Sequence, residues 1–185
     1  MKTTVWCGVA ALLLAASQGA LASEPEGGDG LAAGVRQLRE SIGRWDTLTE
    51  FLNEDGSVAN AVTGSYEFSW VVPDRVVAGR SEIPELGQSA GILFYVNEKK
   101  AIIEMVSVGA DGRLWVMTGP IDGETRTSQT YEAQDGSQGQ LRFTRFHVAA
   151  DRFESKMEYT SDGGKTWKPG NHQVFTRAAE TPDAS

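Results

Sequence analysis

The chain has 185 residues, with 25 acidic against 17 basic ones and a formal charge of −8, so it lacks the basic footprint of a nucleic-acid-binding surface. Its single cysteine, Cys7, stands among the first ten residues, which excludes a disulfide framework, a cysteine nucleophile and a cysteine-ligated metal from everything that follows. The length suits one domain with a real core.

Met1-Lys2 supplies a positive start, Val5 to Ala16 is apolar but for small residues, and Ala20-Leu21-Ala22 has the small-x-small form of a cleavage site. This pattern predicts a signal peptide over residues 1–22 and a chain exported to a bacterial periplasm or secreted. The leader carries one lysine and no acid, so the mature chain would be more acidic still. The apolar run falls short of the roughly 20 residues that a spanning helix needs, and no later run reaches that length. No transmembrane segment is expected.

Residues 23–30, "SEPEGGDG", are acidic, glycine-rich and without apolar side chains, the composition of a flexible linker. Leu31, Val35, Leu38 and Ile42 then recur at helical spacing, with Asp29 placed as a cap and Gly43 as a stop, and predict one short amphipathic helix. Beyond Gly43 the period becomes two. Tyr66, Phe68, Trp70 and Val72 share one face of a strand while Ser65, Glu67 and Ser69 share the other, as in a half-buried antiparallel sheet. Further strands are predicted over Trp45–Leu52, Val76–Glu82, Gly91–Val96, Ala101–Val108, Arg113–Gly119, Thr125–Glu132, Gln140–Val148, Phe153–Tyr159 and His172–Arg177, separated by turns such as "NEDG", "NEKK" and "PIDG". Residues 178–185 read as a flexible tail.

A meander of this length with no intervening helix must deal with its edges. Closing into an antiparallel up-and-down β-barrel of about eight to ten strands removes them and makes an interior for a small ligand. The expected fold is therefore all-β, a barrel over residues 31–177 with one N-terminal helix; a two-sheet sandwich is the rival.

Two stretches carry a resemblance. "TSDGGKTW", Thr160 to Trp167, resembles the Asp-box of sialidases and other β-propellers. In that pattern the hydroxyl and carboxylate bond the backbone of a turn and the tryptophan packs beneath it. It occurs once here, which suits a hairpin and not a propeller. "IGRW", Ile42 to Trp45, resembles the Gly-x-Trp opening of lipocalins and the wider calycin group, in which the tryptophan plugs one barrel end and a basic residue of the last strand lies across it. Arg177 holds that late position. Helix, Gly-x-Trp, meander and the closing "DGGKTW" hairpin together resemble lipocalin-like bacterial domains of unknown function. The resemblance implies a barrel with a cup for a small, mainly apolar molecule, and it implies no reaction.

Polar groups on apolar strand faces are the candidates for contacting such a ligand. Glu104 shares a face with Ile102, Val106 and Val108; if that face is inward, it needs a partner such as Arg80, Arg142 or Arg145, and if Ile103 and Met105 are inward instead, it faces water. Over Gln140–Val148, Leu141 and Phe143 define one face, then Phe146 and Val148 the other. A bulge would reconcile them; without one, Arg145 and His147 lie inward with Leu141. The expected ligand-binding residues are Tyr66, Trp70, Glu104, Trp115, Arg145 and His147. His147 and His172 are too few for a zinc site and lack ligands at local spacing, so neither metal nor cofactor is expected. No nucleophile elbow or phosphate loop is present. An isomerase or cyclase built from inward Glu, Arg and His residues is the second reading, and a protein-interaction module the third.

Overall fold

The computed structural model describes residues 27–132 and 136–179. The predicted signal peptide, residues 23–26 of the linker and residues 180–185 of the tail lie outside the described residues. Helix α1 spans Gly27–Ser41 and is followed by eleven strands: β1 Gly43–Leu52, β2 Val58–Val72, β3 Val76–Ile83, β4 Gln88–Asn97, β5 Ile102–Gly109, β6 Leu114–Pro120, β7 Thr125–Ser128, β8 Tyr131–Glu132, β9 Gln138–Phe146, β10 Arg152–Thr160 and β11 Lys168–Arg177.

Neighbouring strands pair antiparallel in chain order from β1 to β7, then β7 pairs β9, β9 pairs β10, β10 pairs β11, and β11 returns to β1 with Trp45 opposite Arg177. Ten strands thus close into a barrel. The two-residue β8 adds to β9 alone, Tyr131 facing Gly139. Closure pairs each of these ten strands with a neighbour on both sides over at least part of its length.

Period-two alternation sets the inner wall. On β1, Trp45, Thr47 and Thr49 are buried while Arg44, Asp46 and Leu48 are exposed. The registers carry this face around the ring: Trp45 lies opposite Tyr66, Phe68 opposite Gly79, Phe94 opposite Met105, Met105 opposite Met117 and Arg126 opposite Phe143. A closed sheet has one interior, so these residues line it together.

Two apolar clusters close one barrel end. Leu31, Val35 and Leu38 of α1, with Ile42 just after it, pack on Val77, Phe94, Val96, Ile103 and Ile121. Beside them Trp45, Phe153 and Phe175 pack with Tyr66 and Phe68. Apart from Tyr66, the strand residues of both sets lie toward the strand ends near α1. Full burial of Leu38 alone stabilises by roughly 2 to 3 kcal/mol.

Three differences from the sequence reading have physical causes. The helix starts at Gly27, so the last four residues of the expected linker are helical. The strand expected over Thr125–Glu132 breaks after Ser128 because the Gln129 side chain takes over ladder bonds: its Oε1 accepts from the Val116 N–H at 2.8 Å, and its Nε2 donates to the Leu114 carbonyl at 3.2 Å. The bulge considered for β9 is absent from its pairing with β10, where the register runs unbroken from Phe146 opposite Glu154 to Gln140 opposite Thr160.

Candidate functional site in the barrel interior

The barrel is sealed at the α1 end and differs at the other. There the inner-wall side chains Trp115, Leu141, Tyr159 and Asn171 are half-buried, so the inner wall meets solvent through that end. Trp115 and Tyr131 form an edge-to-face pair at 5.2 Å on this rim.

Of the residues expected to contact a ligand, four face inward. Tyr66 sits midway along the barrel, edge-to-face with Phe175 at 5.1 Å, its hydroxyl 3.5 Å from Gln173 Nε2. Trp70 packs against the Val77 and Phe94 cluster beneath α1 and belongs to the core at the sealed end. Trp115 stands on the open rim. Arg145 is buried, but it is committed: its guanidinium donates to Glu124 at 2.8 and 3.0 Å and to Glu40 of α1 at 2.8 Å. Burial opposes its charge, yet Glu124 and Glu40 outweigh that, and the net direction of its pKa is up. It fastens the helix to the barrel.

Two of the expected residues lie elsewhere. Glu104 is on the outer face, because Ile103 and Met105 take the inner one; it accepts a hydrogen bond from the Tyr95 hydroxyl and pairs with Lys100 at 3.6 Å. The arginines weighed as its partners have other acids, Arg80 with Glu67 and Arg142 with Glu158. His147 is exposed, since β9 ends at Phe146 and the chain turns through φ +50° at the histidine. On the same outer surface His172 is bonded from both sides, Nδ1 to Glu50 at 3.0 Å and Nε2 to Glu154 at 2.9 Å. The two histidines therefore flank the barrel without entering it.

The interior instead carries polar groups that the sequence reading missed. Thr47, Thr49, Ser81, Arg126, Ser128 and Ser155 are all buried. Gln173 Nε2 donates to Thr49 Oγ1 at 2.9 Å. Three inner-wall atoms, Thr47 Oγ1, Arg126 Nε and Asn171 Oδ1, are buried with no hydrogen-bond partner among the described residues. Buried polar atoms are ordinarily paired, and each unpaired one costs about 1 to 3 kcal/mol. Arg126 is the largest case. Its guanidinium lies over the Phe94 ring at 4.8 Å and 5.9 Å from that of Phe143. A weak sign of it existed in "TRTS", whose alternation puts Arg126 with Ser128 on one face. With no large apolar residue in those four positions, nothing local tells which face is inner.

A broad groove also crosses the outer face of β1, β2 and β11, bordered by Asp46, Leu48, Thr63, Pro84, Val174 and Thr176. It is open to solvent, and Thr47 and Gly64 also line it.

No family model and no curated protein sequence matches the chain. Among solved structures it is similar to Rv2717c from M. tuberculosis, with a TM-score of 0.52 and 11% identity over 79% of this chain and 98% of that one. It also matches an S-type phycobiliprotein lyase, CPES, from Guillardia theta, with a TM-score of 0.48 and 12% identity over 81% of this chain and 97% of that one. At such identity the likeness to Rv2717c is one of fold alone, a lipocalin-like closed antiparallel β-barrel.

Proposed function

We propose that this protein is a small-molecule-binding protein, exported to the bacterial envelope or beyond, that holds its ligand inside the barrel. Export rests on the leader-like residues 1–22. Binding rests on one observation above others: a closed barrel, plugged by α1 at one end, keeps unpaired buried polar atoms on three different strands of its inner wall. A filled core would have replaced them by apolar side chains at no loss of volume, whereas a ligand site keeps a few placed polar groups among apolar walls. The ligand enters at the end of the barrel where Trp115 and Tyr131 form the rim, lies along Tyr66, and has an apolar body with at least one polar group.

Catalysis finds less support. Both histidines are outside the barrel, and Glu40 and Glu124, two carboxylates at the sealed end, are held by Arg145. The test is titration of the mature domain with apolar and amphipathic fluorescent probes, followed by tryptophan quenching and native mass spectrometry. Saturable one-to-one binding, weakened by Tyr66→Ala in a folded protein, is the expected result. Absence of saturation with every probe would mean that the interior is only a core.

A further inference from the structure

Resting on that reading, we infer that the bound molecule carries a carboxylate and that Arg126 of β7 holds it, head inward beneath the helix and apolar tail toward the Trp115 rim.

The first ground is the state of the arginine. Its residue exposure is 2%. A guanidinium has five N–H donors and no way to discharge itself, and a buried one normally finds a carboxylate fork. Arg126 has a single acceptor among the described residues, the neutral Oε1 of Gln37, at 2.6 Å from Nη2. Nε has no partner, and Nη1 meets no acceptor either. The two nearby carboxylates are already taken: Glu124 and Glu40 are bonded to Arg145. Two aromatic faces partly offset the charge without accepting a hydrogen bond.

The second ground is that Gln37 is fixed. It is 1% exposed on α1, and its Nε2 donates to the Gly123 carbonyl at 3.1 Å. That bond turns Oε1 toward the arginine and holds one edge of the guanidinium, leaving its remaining donors for something else. Burial, with Arg145 close by and Glu124 opposing, draws the Arg126 pKa down to about 10, the direction expected of a cation short of a counter-charge. It stays charged at neutral pH. A planar carboxylate matches the free donors, and the apolar side chains around it, Phe94 and Phe143, suit an aliphatic or aromatic body.

The experiment compares a fluorescent long-chain fatty acid with its methyl ester and with an alkyl phosphate of equal chain length, on the mature wild-type chain and on two variants. In wild type the acid should bind at least about tenfold more tightly than the ester. Arg126→Met should bring acid and ester together. Because that variant could fail to fold, Gln37→Glu supplies the second arm: it places a carboxylate of the protein against Arg126, so the acid should lose its advantage by about tenfold while the ester changes little. Equal binding of acid and ester to wild type, or an acid preference that persists in Gln37→Glu, would overturn the charge assignment and leave the barrel reading standing. An alkyl phosphate preferred over the acid would overturn the carboxylate. Failure of acid, ester and phosphate alike to bind would remove both this inference and the reading beneath it.

Discussion

The Arg177 guanidinium lies 4.2 Å from the centroid of the Trp45 ring, at the point where the last strand pairs with the first. Arg177 Nη1 donates to the Ile42 carbonyl at 2.9 Å and Nε to the Ala150 carbonyl at 3.0 Å, so one side chain ties the helix exit, the β9–β10 turn and both closing strands. Trp45 is 1% exposed, and its Nε1 donates to the Ser41 carbonyl at 2.8 Å. Gly43 makes room: it adopts φ +116°, and a Cβ there would stand 2.4 Å from Arg177 Nη1, which only glycine avoids.

The pair is expected to be coupled. Trp45→Ala should cost about 3 to 5 kcal/mol, through lost burial and a cavity. Arg177→Ala should cost less, and the double variant should cost less than the two single losses added, by about 0.5 to 2 kcal/mol. Urea denaturation of the four proteins measures this. Strict additivity would mean that the stacked geometry contributes nothing.

The connection from β10 to β11 should be a structural turn. Asp162 accepts from the Lys165 and Thr166 N–H groups at 2.9 and 3.0 Å and from the hydroxyls of Thr160 and Thr166 at 2.7 and 2.6 Å. The Thr166 hydroxyl above all, then the backbone and Thr160, hold its carboxyl far below the usual range. Asp162→Ala should lower the melting temperature by about 3 to 6 °C without altering probe affinity. Lost affinity at an unchanged melting temperature would give the loop a binding role instead.

A pH dependence should come from the outer face. Burial works against the His172 imidazolium, but Glu50 and Glu154 outweigh it and raise its pKa. Glu154, bonded to His172 first and to Arg152 next, is drawn down from 4.5 to about 2. A raised histidine contributes its stability fully below the unfolded value near 6.5 and loses it as pH rises through the folded one. The depressed Glu154 contributes above 4.5 and loses it as pH falls toward 2. Melting temperature should therefore be highest from about pH 4.5 to 6.5 and decline as pH rises further through the raised histidine value. His172→Gln should flatten the alkaline decline, and a decline of equal size in that variant would place the titration elsewhere.

Attachment of α1 should depend on which partner of the Arg145 triad is removed. Arg145→Met leaves Glu40 and Glu124, both about one-third exposed, free to hydrate. The double change Glu40→Gln and Glu124→Gln leaves a buried guanidinium without a counter-charge, a loss of about 3 to 5 kcal/mol. The arginine variant should thus be the more stable of the two by thermal denaturation. The reverse order would mean that Arg145 acts mainly through its packing.

Local pattern determined much of this protein. The period change after Gly43 marks one helix followed by strands, "IGRW" marks the junction, and "TSDGGKTW" marks a self-contained turn, because each depends on contacts within a few residues. Inner and outer faces were legible where large apolar residues alternate, as at Tyr66, Phe68 and Trp70. The tertiary structure alone decided the rest. Glu104 faces out because the register with β4 and β6 gives the interior to Ile103 and Met105, and His147 leaves the wall because β9 ends one residue before it. Arg126 enters the interior because the pairing of β7 with β9 sets it opposite Phe143. Such assignments follow from closing ten strands in one register, a condition on the whole ring that no single strand's sequence contains.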